Sequence, residues 1–367
     1  MTVSKERWID NLLGRMDLEQ KVGQMLVFGF AGPVITPDIV ELITKYQVGG
    51  LRIALKFRTQ TLLHDLKPGT TPDENVLRSL QHPHGLNRDY ADPRQCTACT
   101  PQQYTAVLNR LRDHALDREL SIPLHFTIDQ EGNASDDLIN GQRLFPHPMG
   151  FVAAGDPELA YRAALAIGKQ ARAVGANMIH SPVLDVNTNP RNPEISTRAY
   201  SDKPEEVIQY ALQSVRGFQE AGLIATGKHF PGRGESVADA QWGLPSMDVD
   251  ADTMRKVHLA PFRALIDAGI PAILVAHCRY PALGVPDEPS SVSKRILLDI
   301  LRGELGFKGV ISTDNMMMGG ILQRFEIREA VIRTIEAGND LVLYRDESPQ
   351  RIRIIEAVLK AVRSGRI

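Results

Sequence analysis

The amino-acid sequence predicts an α/β protein built as a single-domain (β/α)8 TIM barrel. Eight short, apolar, β-rich runs recur along its 367 residues, and each is followed by a longer segment of helical character. Strands that are apolar on both faces are typical of a buried parallel sheet covered by helices. Strand–helix alternation repeated eight times favours a closed barrel, with an open doubly wound sheet as the alternative.

The candidate strands are runs of aliphatic and aromatic residues bounded by polar residues, proline or glycine. They lie at residues 24–30, 49–55, 123–129, 176–186, 223–230, 271–277, 309–315 and 340–344. Helices are predicted over residues 157–175, 203–222, 293–306 and 328–338. The first of these begins with Pro and an acid and ends in Gly, which is the usual composition of helix ends.

One segment departs from this rhythm. Residues 56–103 are polar and proline-rich with weak periodicity, and they follow the second strand. A compact barrel needs only a few residues and a helix there, and long loops are often lids or binding loops. We therefore expect a lid or insertion at the carboxyl-terminal face of the barrel, within one domain spanning residues 1–367.

The same segment contains a weak candidate for a zinc site. It includes His82, His84, Cys96 and Cys99, and imidazoles and thiolates at short spacing suit tetrahedral Zn²⁺. The spacing is not a standard finger pattern, so a loop with incidental His and Cys is the preferred interpretation. No metal and no cofactor is predicted.

Charge and composition exclude several classes of partner. With 42 basic and 44 acidic residues the formal net charge is −2, so neither nucleic acid nor a membrane surface is expected. Three cysteines argue against a disulfide scaffold and fit a reducing compartment. The first twenty residues contain no apolar signal-like core, and no apolar run reaches membrane-spanning length. We expect a soluble, cytoplasmic protein, and monomer or dimer is left open.

Polar residues close five of the eight candidate strands. In a barrel the carboxyl ends of the strands converge on one pocket, and a polar group there is costly to bury without a partner. The strand-end residues are Asp129, Asp185, Lys228 with His229, His277 and Asp314. Carboxylates mixed with cationic donors suit polyhydroxylated ligands, and paired carboxylates are the usual means of cleaving glycosidic bonds. No phosphate-binding glycine loop, GxSxG or HExxH is present.

Several long segments resemble a known family in the same order. They are MDLEQKVGQMLVFGF, TIDQEG, SPVLDVNTNPRNPEISTRAYS, KHFPGRGE, VAHCRYPALG and PSSVSKRILLDILRGELGFKGVISTDNMMMGGI. The chain resembles the family 3 glycoside hydrolases, of the single-domain bacterial β-N-acetylglucosaminidase (β-N-acetylhexosaminidase) type, over nearly all of its length except residues 56–103. The resemblance implies a retaining hydrolase of β-linked (N-acetyl)hexosaminides that acts on a small carbohydrate or glycoconjugate.

The resemblance also implies roles for individual residues. Asp314 matches the family's catalytic nucleophile, and a carboxylate at the end of the seventh strand can attack an anomeric carbon to form a glycosyl-enzyme. Asp129, Arg198, Lys228 and His229 match residues that hold the non-reducing sugar, where charged groups form short, strong hydrogen bonds to hydroxyls. A buried ion-pair network is the alternative for Lys228 and His229.

The family's proton donor is replaced in this chain. The loop after the fifth strand should end in Asp-x-His, but it reads Asp239, Ala240, Gln241, and Arg233 replaces another family histidine. Glu235 and Asp239 are the candidate proton donors, since a carboxyl with a raised pKa is an ordinary general acid. The sequence NASDDL after DQEG also lacks a family arginine.

Three functions follow from this departure. The protein hydrolyses glycosides with Glu235 or Asp239 as the donor, or it transfers sugars or cleaves activated glycosides without such help, or it is a non-catalytic sugar-binding protein. General acid–base assistance is worth about 10²–10⁴-fold, so its loss slows ordinary hydrolysis without preventing nucleophilic attack. The presence of Asp314 favours an enzyme.

Overall fold

Eight parallel strands organise the molecule. The computed structural model describes residues 5–31, 35–54, 100–132, 135–138 and 145–367. Its strands are Leu26–Ala31 (β1), Gly50–Ala54 (β2), His125–Ile128 (β3), Met178–Ile179 (β4), Ile224–Phe230 (β5), Ala272–Val275 (β6), Val310–Thr313 (β7) and Val342–Tyr344 (β8). Each of them lies within, or within one residue of, a strand predicted from the sequence.

The sheet closes into a barrel. The strands follow the order β7-β6-β5-β4-β3-β2-β1-β8, and every named pair is parallel. The two ends of this order meet where Ser312 bridges Leu341, and the Thr313 amide donates to the Leu341 carbonyl at 3.0 Å. Because the last strand returns to the seventh, the predicted (β/α)8 barrel is confirmed and the open-sheet alternative is wrong.

Most of the longer helices follow a strand and bury an apolar face against the barrel, whereas the first helix, Lys5–Arg15, precedes the strands and buries none of its residues. The α-helices are Lys5–Arg15, Leu18–Gln24, Pro37–Thr44, Pro101–Leu116, Pro148–Ala154, Pro157–Val174, Pro204–Glu220, Ala251–Thr253, Ala260–Asp267, Gly319–Leu322, Ile327–Glu336 and Gln350–Arg363. Wider-turned π-helical segments cover Met254–His258 and Arg295–Glu304, and short 3₁₀ turns cover Ser196–Arg198, Pro281–Leu283 and Ser290–Val292. Within the described ranges, none of the helices combines the length and apolar character that a membrane crossing would require.

The predicted insertion ends earlier than expected. The Thr100 hydroxyl accepts the Gln103 amide at 3.2 Å and caps the helix Pro101–Leu116, so residues 101–103 belong to that helix. Residues 56–99 of the predicted lid lie outside the described residues. The candidate zinc ligands His82, His84, Cys96 and Cys99 lie outside them as well. Among the residues that are described, no group of three or more His, Cys, Asp or Glu side chains is arranged to hold a metal.

The fourth strand is much shorter than predicted. Only Met178–Ile179 forms a regular strand, although residues 176–186 were expected to. Pro182 has no backbone N–H to donate, so it interrupts the ladder. The chain nevertheless continues beside β5, where Val183 bridges Lys228 and the Lys228 amide donates to the Pro182 carbonyl at 3.1 Å. This segment carries Asp185 beneath the carboxyl end of β5.

A buried histidine predicts acid sensitivity of the fold. His258 is fully buried, neither ring nitrogen has a hydrogen-bond partner among the described residues, and burial lowers its pKa to about 4. The unfolded chain therefore takes up the proton first, so stability that is complete above about pH 6.5 falls as the pH drops toward 4, by about 3 kcal/mol for this residue. Urea unfolding at pH 7 and pH 4.5 measures the loss.

The matched comparison uses two single variants. His258→Leu is expected to remove that part of the pH dependence, whereas His114→Asn, at a partly exposed helix end, is expected to leave it unchanged. An unchanged pH dependence in His258→Leu would show that this histidine is not the source of the sensitivity.

Candidate active site

A polar cavity lies at the carboxyl ends of the strands. It measures about 220 Å³, and most of the side chains around it are charged or can form hydrogen bonds. These side chains are Asp129, His180, Glu194, Arg198, Lys228, His229, Arg233, Asp239, Gln241, Asp314, Asn315 and Arg345. They come from the ends of β3, β4, β5, β7 and β8 and from the loops that follow, as expected for a barrel enzyme.

Asp314 faces this cavity from the end of β7. Its side chain is 17% exposed, its backbone amide donates to Val275 at 2.9 Å, and the Asn315 amide donates to its Oδ1 at 2.7 Å. The nearest cation is Arg233, whose Nη2 lies 3.7 Å from Oδ2. That distance is too long for a hydrogen bond, so the carboxylate is held in place by backbone contacts and remains accessible to a ligand.

A network of alternating charges forms the opposite wall. Lys228 Nζ donates to Asp129 Oδ1 at 2.9 Å and also contacts Glu131. Arg198 holds Glu131 through two hydrogen bonds of 2.8 and 3.0 Å. Burial opposes ionisation of both carboxyls, but Arg52 and Lys228 hold the pKa of Asp129 well below its usual value, and Arg198 and Lys228 lower the pKa of Glu131 to about 2. All of these groups are therefore charged at neutral pH.

Arg52 anchors this wall from below. It is an arginine within β2, its side chain is 1% exposed, and it contacts both Asp129 and Asp137. Asp137 belongs to the NASDDL segment, and Arg345 Nη2 lies 3.7 Å from its Oδ1. Guanidinium groups therefore reach this part of the site from β2 and from the residue after β8.

His229 is a neutral hydrogen-bonding group. Its Nδ1 lies 2.7 Å from Asp185 Oδ2, and its Nε2 lies 3.4 Å from Arg198 Nη2. Because a guanidinium can only donate, Nε2 is the acceptor and the proton is on Nδ1, which donates to Asp185. Burial, followed by the charges of Arg233, Arg198 and Lys228, keeps the pKa of His229 well below its usual value.

Not every predicted residue reaches the cavity. Asp185 and His277 are fully buried beneath it; His277 contacts the Ser291 hydroxyl at 2.7 Å and the Asn315 carbonyl at 3.2 Å. Glu235 does not line the cavity, and its carboxylate instead accepts from the Thr188 hydroxyl. Asp239 does line it, with Oδ1 accepting the Gln241 amide at 2.8 Å. Of the two carboxyls predicted as proton donors, only Asp239 is placed at the site.

The charged residues of the site that were not identified as functional from the sequence include Arg52, Glu131 and Glu194, together with Arg233 and Arg345. A charged residue inside the apolar run of β2 was a usable signal for Arg52, and Glu131 lies two residues beyond Asp129 in the quoted TIDQEG. Glu194 lies in the quoted SPVLDVNTNPRNPEISTRAYS, but no strand end marks its position. It lies within the long strand-4 loop, and only the fold brings its carboxylate to the cavity, where Oε1 is 2.8 Å from Arg233 Nη2.

The sequence is similar to a known protein family and to two of the relatives described here. Residues 94–367 match the model of the glycosyl hydrolase family 3 N-terminal domain. The chain is 35% identical to beta-hexosaminidase A of Pseudoalteromonas piscicida over 324 residues, which cover 84% of this chain and 48% of that protein. It is 32% identical to the beta-hexosaminidase of Nitrosomonas eutropha over 286 residues, which cover 75% of this chain and 78% of that one.

A solved structure agrees in both fold and sequence. The family 3 β-N-acetylglucosaminidase from Paenibacillus sp. FPU-7 superposes with a TM-score of 0.81 at 36% identity, covering 96% of this chain and 59% of that one. This chain thus spans about half the length of the Pseudoalteromonas relative and somewhat more of the Paenibacillus structure.

Proposed function

The chain belongs to glycosyl hydrolase family 3, and on that premise we propose that it cleaves β-linked N-acetylhexosaminides with retention of anomeric configuration. The names of the similar proteins support the substrate class. Because the chain spans only part of some of these relatives, the activity, the substrate and the small-carbohydrate partner are all part of the proposal. The three cysteines of the sequence favour a cytoplasmic site of action.

The position of the Asp314 carboxylate carries this proposal. It is the accessible carboxylate at the end of β7, and it faces the wall formed by Asp129, Lys228 and Arg198 across one cavity. Donors and acceptors fixed in that wall orient the hydroxyls of a bound ring, and Asp314 then attacks C1 as the bond to the leaving oxygen breaks. The product of this step is a glycosyl ester on Asp314, which water hydrolyses.

Sugar transfer is the second candidate function, and Gln241 is the observation that favours it. This residue lines the cavity at the position where the family has its histidine proton donor, and an amide cannot supply a proton near neutral pH. An enzyme without efficient activation of water passes the glycosyl group more readily to another acceptor. Binding without turnover is the third function, and Asp314 argues against it because a pure binding site needs no nucleophile.

A pre-steady-state experiment distinguishes these functions. Mixing the protein with 2,4-dinitrophenyl N-acetyl-β-glucosaminide is expected to give a burst of dinitrophenol equal to the enzyme concentration, and proton NMR should show the β-anomer as the first product. Predominant formation of a new glycoside when an alcohol is added would favour transfer. The corresponding β-glucoside is the matched control for the acetamido group. Absence of dinitrophenol release from both compounds would overturn the proposal in favour of a binding protein.

A further inference from the structure

We propose that Glu194 is the general acid and base of this site; the inference rests on the proposed function and identifies the proton donor that the family motif lacks in this chain. Glu194 lies in the loop between β4 and the turn Ser196–Arg198, and it lines the cavity with a side chain that is only 9% exposed. Its Oε2 accepts the backbone amide of Ala240 at 3.2 Å. Ala240 stands between Asp239 and Gln241, so this carboxyl lies against the loop that carries the donor in the family.

The spacing between Glu194 and Asp314 suits a retaining pair. Both carboxylates approach the same atom, Arg233 Nη2, with Glu194 Oε1 at 2.8 Å and Asp314 Oδ2 at 3.7 Å. These two oxygens therefore cannot lie further apart than the sum of the two distances, about 6.5 Å. Retaining glycosidases have carboxyl separations of about 5–5.5 Å, whereas inverting enzymes need about 6.5–9.5 Å to admit a water. The upper limit set by Arg233 agrees with the retaining mechanism.

The surroundings of Glu194 shift its pKa upward, in the direction that a proton donor requires. Burial is the main cause and raises the pKa of Glu194, and the negative charges of Asp239 and Asp314 act in the same direction. Arg233 and Arg198 oppose this rise. The charged groups that face Glu194 are therefore Arg233, Asp239, Arg198 and Asp314. A carboxyl whose pKa is raised by its surroundings is the usual general acid of a glycosidase.

The reaction has two steps, formation of the glycosyl ester on Asp314 and its hydrolysis. In the first, Asp314 attacks C1, the bond from C1 to the leaving oxygen breaks, and the Glu194 proton passes to that oxygen. In the second, Glu194 takes a proton from water as the water oxygen bonds to C1 and the ester bond to Asp314 breaks. Negative charge moves from Asp314 to Glu194 and back, and Arg233, in contact with both, has one ionised partner throughout.

The other carboxyls fit this role less well. Glu235 lies outside the cavity and is engaged by Thr188. Asp239 lines the cavity, and its Oδ1 accepts the Gln241 backbone amide at 2.8 Å, but unlike Glu194 it shares no ion-pair partner with Asp314 among the described contacts. The test therefore compares Glu194→Gln with Asp239→Asn, which removes the rival donor, and circular dichroism shows whether both variants are folded.

The decisive measurement is the dependence on the leaving group. Glu194→Gln is expected to lose about 10²-fold or more in kcat/KM on N,N′-diacetylchitobiose, whose leaving oxygen needs a proton. It is expected to keep the dinitrophenol burst from the activated glycoside within about tenfold, because that leaving group needs little help. Its slow steady-state release should be accelerated by azide, with a β-glycosyl azide as the product, since azide attacks the ester without a general base. Asp239→Asn should not reproduce this combination of a loss that depends on the leaving group and an acceleration by azide.

The opposite outcomes overturn the inference. An equal loss on both substrates with no azide effect would assign Glu194 a purely structural role beside Arg233, and the expected pattern in Asp239→Asn would make that residue the donor. Should Glu194→Gln not fold, the wild-type pH profile decides: kcat/KM on the disaccharide must fall at alkaline pH while the activated substrate stays flat, and two flat profiles refute the inference. Failure of the wild type on the activated glycoside would instead refute the proposed function.

Discussion

Asp314→Asn is expected to lower kcat for 2,4-dinitrophenyl N-acetyl-β-glucosaminide by on the order of 10⁴-fold or more and to eliminate the burst. Removing the nucleophile of a covalent mechanism removes the pathway itself, so even an activated leaving group cannot compensate. The side chain is accessible and makes no hydrogen bond to Arg233, so the amide should fit without rearrangement. Stopped-flow absorbance and intact-protein mass spectrometry measure the burst and the glycosyl adduct.

The matched control for this variant is Asp299→Asn. Asp299 is 58% exposed on the segment Arg295–Glu304, far along the chain from any strand end, and it should leave both burst and kcat unchanged. Chemical unfolding of Asp314→Asn should match the wild type closely. If that variant kept a stoichiometric burst, Asp314 would not be the nucleophile, and a different carboxylate of the cavity would have to form the ester.

Glu131→Gln is expected to destabilise the protein by about 3–5 kcal/mol. The Glu131 side chain is fully buried and is held by two hydrogen bonds from Arg198 and by Lys228. Neutralising it leaves those two cations close together with too little compensating charge, which is the costly way to break a buried ion pair. Urea unfolding at pH 7 measures the loss, and substrate affinity should fall with it because Arg198 and Lys228 lose their positions.

Glu158→Gln provides the comparison at the surface. Glu158 pairs with Arg216 at 3.0 Å, but both side chains are about half exposed, so water replaces the interaction and little change is expected. If Glu131→Gln were no more destabilising than Glu158→Gln, the network would be much better solvated than its burial indicates, and a bound sugar would gain less from its pre-arranged donors.

The strands were predictable because burial on both faces leaves a strong local pattern. Runs such as 271–277 and 340–344 contain little except apolar residues, and any fold that buries them must pair them. The end of β4 was not predictable in the same way, because Pro182 removes one donor and the ladder gives way to a bridge at Val183. Where the ladder ends depends both on the proline in β4 and on which groups of the neighbouring strand it would pair with.

Site residues could be predicted from the sequence where they lie at the end of a predicted strand. Asp129 and Asp314 directly follow β3 and β7, and Lys228 and His229 lie near the end of β5, so the barrel brings all four to the same cavity. Glu194 does not follow a strand. It reaches the cavity only because its loop turns back against the one after β5, a long-range contact with no trace in local periodicity, and the sequence therefore suggested Glu235 instead.

The loop after β5 is held against the segment after β7 by main-chain hydrogen bonds. The Gln241 carbonyl accepts the Gly319 amide and the Ala240 carbonyl accepts the Gly320 amide, both at 2.9 Å, so the loop after β5 is joined to the segment after β7 by hydrogen bonds that do not involve the Gln241 side chain. These two hydrogen bonds therefore do not depend on which side chain residue 241 has. Histidine can be exchanged for glutamine there, or restored by an engineer, while the surrounding scaffold keeps its form.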